Sequence, residues 1–224
     1  DSQPFTAKPQ KEQAGKLTNR ITNAITAVTP EELAQLVGTE GRTMVLATMN
    51  GKRTKLNMMQ QQALALDFDN KDDDTGLKTE GFFYQTIQET LEDEFIKQHA
   101  AFIYKTFSYT PEWEKFRVVF ILDKPLTTNE QVEGAYRYLM ERYPNADRAT
   151  KDSSRLFYGG REAIAIQYSN TLAADSLPVA EAAQKAPATR KPAQVRAVKP
   201  IQTAAQVMQE EPEDAEIPTY KLIR

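Results

Sequence analysis

The chain has 224 residues with a net charge of -3 and a pI near 5.4, so a generally basic nucleic-acid coat is excluded while a local basic groove beside acids is not. It has no cysteine and one histidine, His99, which rules out disulfides, thiol catalysis and the common Cys- or His-ligated zinc sites. Any metal must sit on oxygen ligands, which points to magnesium, calcium or manganese. No apolar run reaches the roughly 20 residues of a membrane span, no leader is evident, and a cytoplasmic protein is expected. With Asp1 first and no methionine, the sequence reads as a piece of something longer.

In chain order, residues 1–16 are polar and read as a flexible lead-in to a catalytic domain over 17–176. Thr29-Pro30-Glu31-Glu32 supplies an N-cap, a first-turn proline and a reciprocal glutamate, predicting a short helix with Leu33, Leu36 and Val37 buried and Gly38 as its stop. Thr43 to Thr48, Asn50-Gly51 and Lys52 to Met58 predict a β-hairpin whose returning arm carries Lys52, Arg53 and Lys55. In Ala63 to Asp69 the alternation of a strand puts Leu64, Leu66 and Phe68 on one face, and Ala63, Ala65, Asp67 and Asp69 on the other. Phe82, Phe83, Ile87, Leu91 and Phe95 recur at helical spacing. Ala101 to Phe107 and Phe116 to Leu122 read as strands. Thr127 with Glu130 opens another helix, ended by Pro144, and Ala163 to Tyr168 is a further strand. From 177 to 224 the composition turns Ala/Pro/Lys-rich and then acidic over Glu210 to Glu216, which reads as a linker; Ala204 to Met208 could form a short helix.

The paired acids Asp67 and Asp69 stand in an otherwise apolar strand with no basic residue in that strand, so they call for a cation or another partner. A separated acid, Asp147, stands among Arg148, Lys151 and Arg155. The run Asp72 to Asp74 is read as a solvated turn because it lacks the glycine and spacing of a calcium loop. Trp113 is read as packing on the domain's own surface rather than stacking a base, and His99 as a surface or capping residue.

From about Gly41 to Tyr168 the sequence resembles the archaeo-eukaryotic primase superfamily, in particular the primase domains of plasmid, phage and chromosomal-island replication proteins often fused to a helicase. The resemblance lies in Ala65-Leu66-Asp67-Phe68-Asp69-Asn70, in Tyr104-Lys105-Thr106-Phe107-Ser108-Tyr109 followed by Lys115 to Phe120, and in Ala146 to Gly160. It implies a DNA primase or polymerase that uses two Mg2+ or Mn2+ ions, with Asp67, Asp69 and Asp147 as catalytic metal ligands. It also implies a single-stranded DNA template, nucleoside triphosphates and a fused or separate replicative helicase as partners, in the replication of a mobile genetic element. Thr106, Ser108, Arg117, Lys151 and Arg155 are then candidates to hold the triphosphate, with Tyr109 where the family usually has a phosphate-contacting histidine. Lys52, Arg53 and Lys55 would track the template backbone. The implied fold is α+β, a mixed central sheet with an RNA-recognition-like βαβ half and helices on its back.

The alternative is a catalytically weakened, origin-binding or helicase-loading initiator, motivated by Tyr109. A rolling-circle nicking endonuclease would need a histidine pair, and an RNA-binding sheet module would need exposed aromatics where this chain has small residues and acids.

Overall fold

The computed structural model describes residues 1, 3–21, 27–72, 74–81 and 84–179. The chain divides at Ala183/Gln184 into two units, and the second, with most of the linker and its candidate helix, lies outside the described residues, as do Asp73, Phe82 and Phe83.

The first unit is α+β. Strands β1 (Ala47–Met49), β2 (Met58–Phe68), β3 (Ala100–Thr106), β4 (Phe116–Leu126) and β5 (Gly160–Ala165) form a sheet of order β1-β2-β4-β3-β5. Among the described residues every ladder is antiparallel, and the one parallel pairing is the bridge between Leu122 and Leu172. Because β4 pairs with both β2 and β3, those two strands run parallel on either side of it. Helices α3 (Ile87–Glu92) and α4 (Glu94–His99) make the crossover, which is the split βαβ expected from the sequence. Asp93 breaks the single predicted helix in two by capping α4 with its side chain on Ile96 N–H at 2.9 Å.

The alternation in β2 sorts its side chains as expected. Leu64, Leu66 and Phe68 are buried with Phe95 and Ile96 of α4 and with Val132, Ala135, Tyr136 and Leu139 of α5 (Asn129–Arg142). Phe68 stacks on its cross-strand partner Phe116 at 5.0 Å, and each such buried side chain contributes roughly 1.5–3 kcal/mol. Helix α5 starts one residue later than predicted, with Thr128 as N-cap and Gln131 completing the capping box.

The opposite face is covered as well. Ala65, Ala101, Phe102, Tyr104 and Val119 pack against Ala34 and Val37 and against Met44 and Phe157. Here α2 (Pro30–Ala34), with the expected Thr29/Glu32 capping box, runs on into a wide turn over Gln35–Thr39. Gly38 is a packing residue rather than a helix stop, since a Cβ there would meet Ala163 Cβ at 2.7 Å.

Three local expectations change. The predicted hairpin is a longer connection: Gly51 has φ +83°, Lys55–Asn57 form a 3-10 turn, and the return strand begins at Met58. Lys52, Arg53 and Lys55 therefore sit in a loop, not on a strand. The segment over 1–16 is held to the domain: Phe5 N–H donates to Gly41 O at 3.1 Å, Asp1 pairs with Arg20 at 2.5 Å, and Leu17 of α1 (Lys11–Ile21) is fully buried. At the other end Leu177 belongs to the core beneath α5, so the folded unit includes the residue where the linker was expected to start.

Candidate active site

Strand β2 carries Asp67 out past the last apolar residues of its second face, and Asn70 ends the strand. Asn70 has φ +48°, a left-handed conformation unusual outside glycine, and is held there by its side chain. Its amide donates to Gln85 O at 2.8 Å and Glu114 O at 2.7 Å and accepts from Gln85 N–H. Trp113 clamps the same turn through Nε1, which donates to the carbonyls of Asp69 and Asn70, so its role is structural.

The residue opposite Asp67 in the ladder is Arg117 of β4. Asp67 is 2 % exposed and accepts from Arg117 Nη2 at 2.8 Å through Oδ2. Its Oδ1 is buried with no hydrogen-bond partner. Arg117 Nη1 donates to Tyr104 OH at 3.0 Å and to Tyr158 O at 2.5 Å, and the guanidinium lies 5.6 and 5.4 Å from the ring centroids of Tyr104 and Phe157. Burial pushes the Asp67 carboxyl above its ordinary range, against the pull of Arg117, and the charges of Asp69 and Asp147 add to the rise. Burial opposes Arg117's charge, but Asp67 more than offsets it, so the guanidinium stays charged.

Asp147 docks beside this pair, its N–H donating to Asp67 O at 2.8 Å. Both of its carboxylate oxygens are engaged. Oδ1 accepts from Ala149 N–H at 2.8 Å, capping the turn Arg148–Lys151, and Oδ2 pairs with Arg155 at 3.0 Å. Asp69 is about one-third exposed, and its nearest cation is Lys71 at 3.9 Å.

Two cavities open at this end of the sheet. One, of about 360 Å³, is walled by Asp67, Asp69, Arg117, Thr106, Ser108 and Arg155, and also by Lys8 and Arg53. The other, of about 260 Å³, has Asp69 and Asp147 in its wall. Asp69 alone belongs to both.

The structure thus gathers Asp67, Asp69, Thr106, Ser108, Arg117 and Arg155 around one space. It does not gather Tyr109, which packs on the core under the helices and lies 4.8 Å from Lys105 Nζ. Lys151 and Lys52 are exposed and outside both cavity walls; Lys55, half-buried, is outside them too and pairs with Glu133 at 2.9 Å. Arg53 reaches the larger cavity while donating to Ser154 O and Thr18. Lys8, Tyr158 and Asn70 are site residues that sequence reasoning missed; only Asn70, directly after the paired acids, carried a signal.

Among the described residues no group of three or more His, Asp or Glu side chains is arranged to hold a metal. The unpartnered Oδ1 of Asp67 and the open carboxylate of Asp69 fit one oxygen-ligated cation. The charge of Asp147 is already met by Arg155, and its other oxygen caps the turn that follows.

No family model and no curated protein matches the chain. Among solved structures, the AEP domain of the cyanophage S-2L primase-polymerase (PrimPol) is similar at 10% identity with a TM-score of 0.39, over 67% of this chain and 74% of that one. At that level the chemistry rests on this chain's own residues. No helix among the described residues is long and apolar enough to cross a membrane.

Proposed function

We propose that the larger cavity binds a nucleoside triphosphate and that the chain transfers its nucleotidyl group to a growing strand on a single-stranded DNA template, as a primase-polymerase in the replication of a mobile genetic element. The observation that carries this reading is one cavity, within the usual 300–1,000 Å³ of ligand sites, whose wall brings Asp67 and Asp69 together with Arg155, Arg53, Lys8 and two hydroxyls.

The acids and cations divide the work by position. Arg155 is partly exposed and, with Nη2 kept on Asp147, can offer the rest of its fork to phosphate oxygens, with Lys8 as a mobile point charge. Thr106 and Ser108 at the end of β3 offer neutral donors. Asp67 Oδ1 and Asp69 would hold a Mg2+ or Mn2+ ion. Bound there with the triphosphate, the ion would neutralise phosphate charge and acidify the attacking hydroxyl. Arg53 and Lys52, on the same loop, would contact template phosphates, and that contact would be salt-sensitive. A replicative helicase, fused or separate, completes the proposal as partner.

A second reading, a non-catalytic initiator that binds DNA and loads a helicase, is favoured by one observation: Asp67 and Asp147 are each paired with an arginine. Calorimetric titration with a nucleoside triphosphate and manganese separates the two. The polymerase reading expects binding that weakens about tenfold in Arg155→Ala, from loss of one charge-assisted contact. No binding by the wild type hands the case to the second reading.

A further inference from the structure

We propose that Arg117 is the resident counter-ion of the acidic site, so that the site takes a single divalent cation entering with the phosphates, instead of a pair of ions. The nucleotide-dependent part rests on the triphosphate reading above; the exclusion of a resident ion stands on geometry alone.

A two-ion centre holds its metals roughly 3.5–4 Å apart and needs carboxylate oxygens for both. Here the supply is short. Two of the three carboxylates are already charge-paired, Asp67 with Arg117 and Asp147 with Arg155, and Asp147 also caps Ala149 N–H, so Asp69 is the one of the three without an arginine partner. Magnesium and manganese are commonly held by one or two carboxylates plus substrate phosphates, which matches that remainder once a triphosphate is present.

Arg117 cannot swing aside to release Asp67. Its backbone is locked in the ladder opposite Asp67, and Nη1 is held by Tyr104 OH and Tyr158 O. The rings of Tyr104 and Phe157 flank its guanidinium, and the side chain is only 10% exposed. With both Nη groups engaged and Nε buried away from solvent, Arg117 is a positioning residue for Asp67 and has little to offer a phosphate, in contrast to the triphosphate-holding role expected from the sequence.

The test is manganese titration followed by electron paramagnetic resonance, on the wild type, Arg117→Met and Arg117→Lys, each alone and with a non-hydrolysable triphosphate analogue. The wild type alone should hold no manganese at the paired acids, and with the analogue one ion per chain. Arg117→Met, which vacates the cationic position, should gain manganese affinity without nucleotide by about tenfold or more, the ion displacing any proton Asp67 has taken up, and Arg117→Lys should not. The proposal is overturned by any of three results: two ions per chain in the wild-type complex, an Asp69-dependent ion on the wild type alone, or no gain in Arg117→Met. Should Arg117→Met fail to fold, the wild-type arms decide. Failure of the wild type to bind the analogue would sink the triphosphate reading, while the metal-only arms would still test the role of Arg117.

Discussion

Replacing Arg117 by methionine tests the buried pair directly, because methionine keeps most of the side-chain volume while removing the charge. The change deletes the 2.8 Å pairing with Asp67 and the bonds to Tyr104 OH and Tyr158 O, in a place where Asp67 is 2 % exposed. Breaking a buried pair from one side typically costs about 3–5 kcal/mol, since the remaining charge is left uncompensated. Asp67 can limit the loss by taking a proton. Its folded-state carboxyl already lies above its ordinary value of 3.8 because of burial, and removing Arg117 raises it further. The folded state then binds more protons than the unfolded one above pH 3.8. Stability is therefore fully present on the acid side and is lost as pH rises through the folded-state value, by up to about 1.4 kcal/mol per pH unit. Urea unfolding of the wild type and Arg117→Met between pH 5 and pH 8 should show a cost that is greatest at pH 8 and shrinks toward pH 5. Adding Asp67→Leu to Arg117→Met should recover much of the loss. A cost below about 1 kcal/mol at pH 8, or one equal at the two ends, would refute a tightly coupled buried pair.

Other outcomes follow from the same geometry. Gly160→Ala would drive a Cβ into Lys105 O across the β3–β5 ladder and should cost about 1–3 kcal/mol, visible as a lower thermal midpoint. Tyr109→Phe should change triphosphate affinity less than about tenfold, and Tyr109→His should not improve it, because the side chain packs on the core beneath the helices; a large effect in calorimetry would place Tyr109 at the phosphates after all. Asn70→Ala should destabilise by about 2 kcal/mol in urea unfolding, from loss of its hydrogen bonds at a positive φ.

What could be read from the sequence was what neighbours along the chain decide. The period of two in β2 sorted Leu64, Leu66 and Phe68 from Ala65, Asp67 and Asp69, and the Thr29/Glu32 cap was spelled out locally. The counter-ion of Asp67 was not legible, because it comes from β4 and depends on the register that sets Arg117 opposite. The absence of a basic residue within β2 itself said nothing about charge compensation across the ladder. Lys8 and Arg53 were unreadable as cavity residues for a related reason: each reaches the site from a segment whose docking is tertiary. Asn50-Gly51 marked a turn correctly but not its length, since a two-residue hairpin and the observed longer connection begin with the same dipeptide. Tyr109 lies a short distance beyond β3, after a turn closed by its N–H on Thr106 O at 3.0 Å, and that turn carries it to the opposite face from Thr106.

The central claim, that the open carboxylate beside the buried pair serves nucleotidyl transfer, is tested most directly at Asp69. Its side chain is about one-third exposed and its ion pair with Lys71 is long, at 3.9 Å, so Asp69→Ala should leave folding stability within about 0.5 kcal/mol of wild type. Labelled-nucleotide incorporation on a single-stranded DNA template with manganese should be abolished in Asp69→Ala and present in the wild type. Incorporation by Asp69→Ala at the wild-type rate would contradict the account.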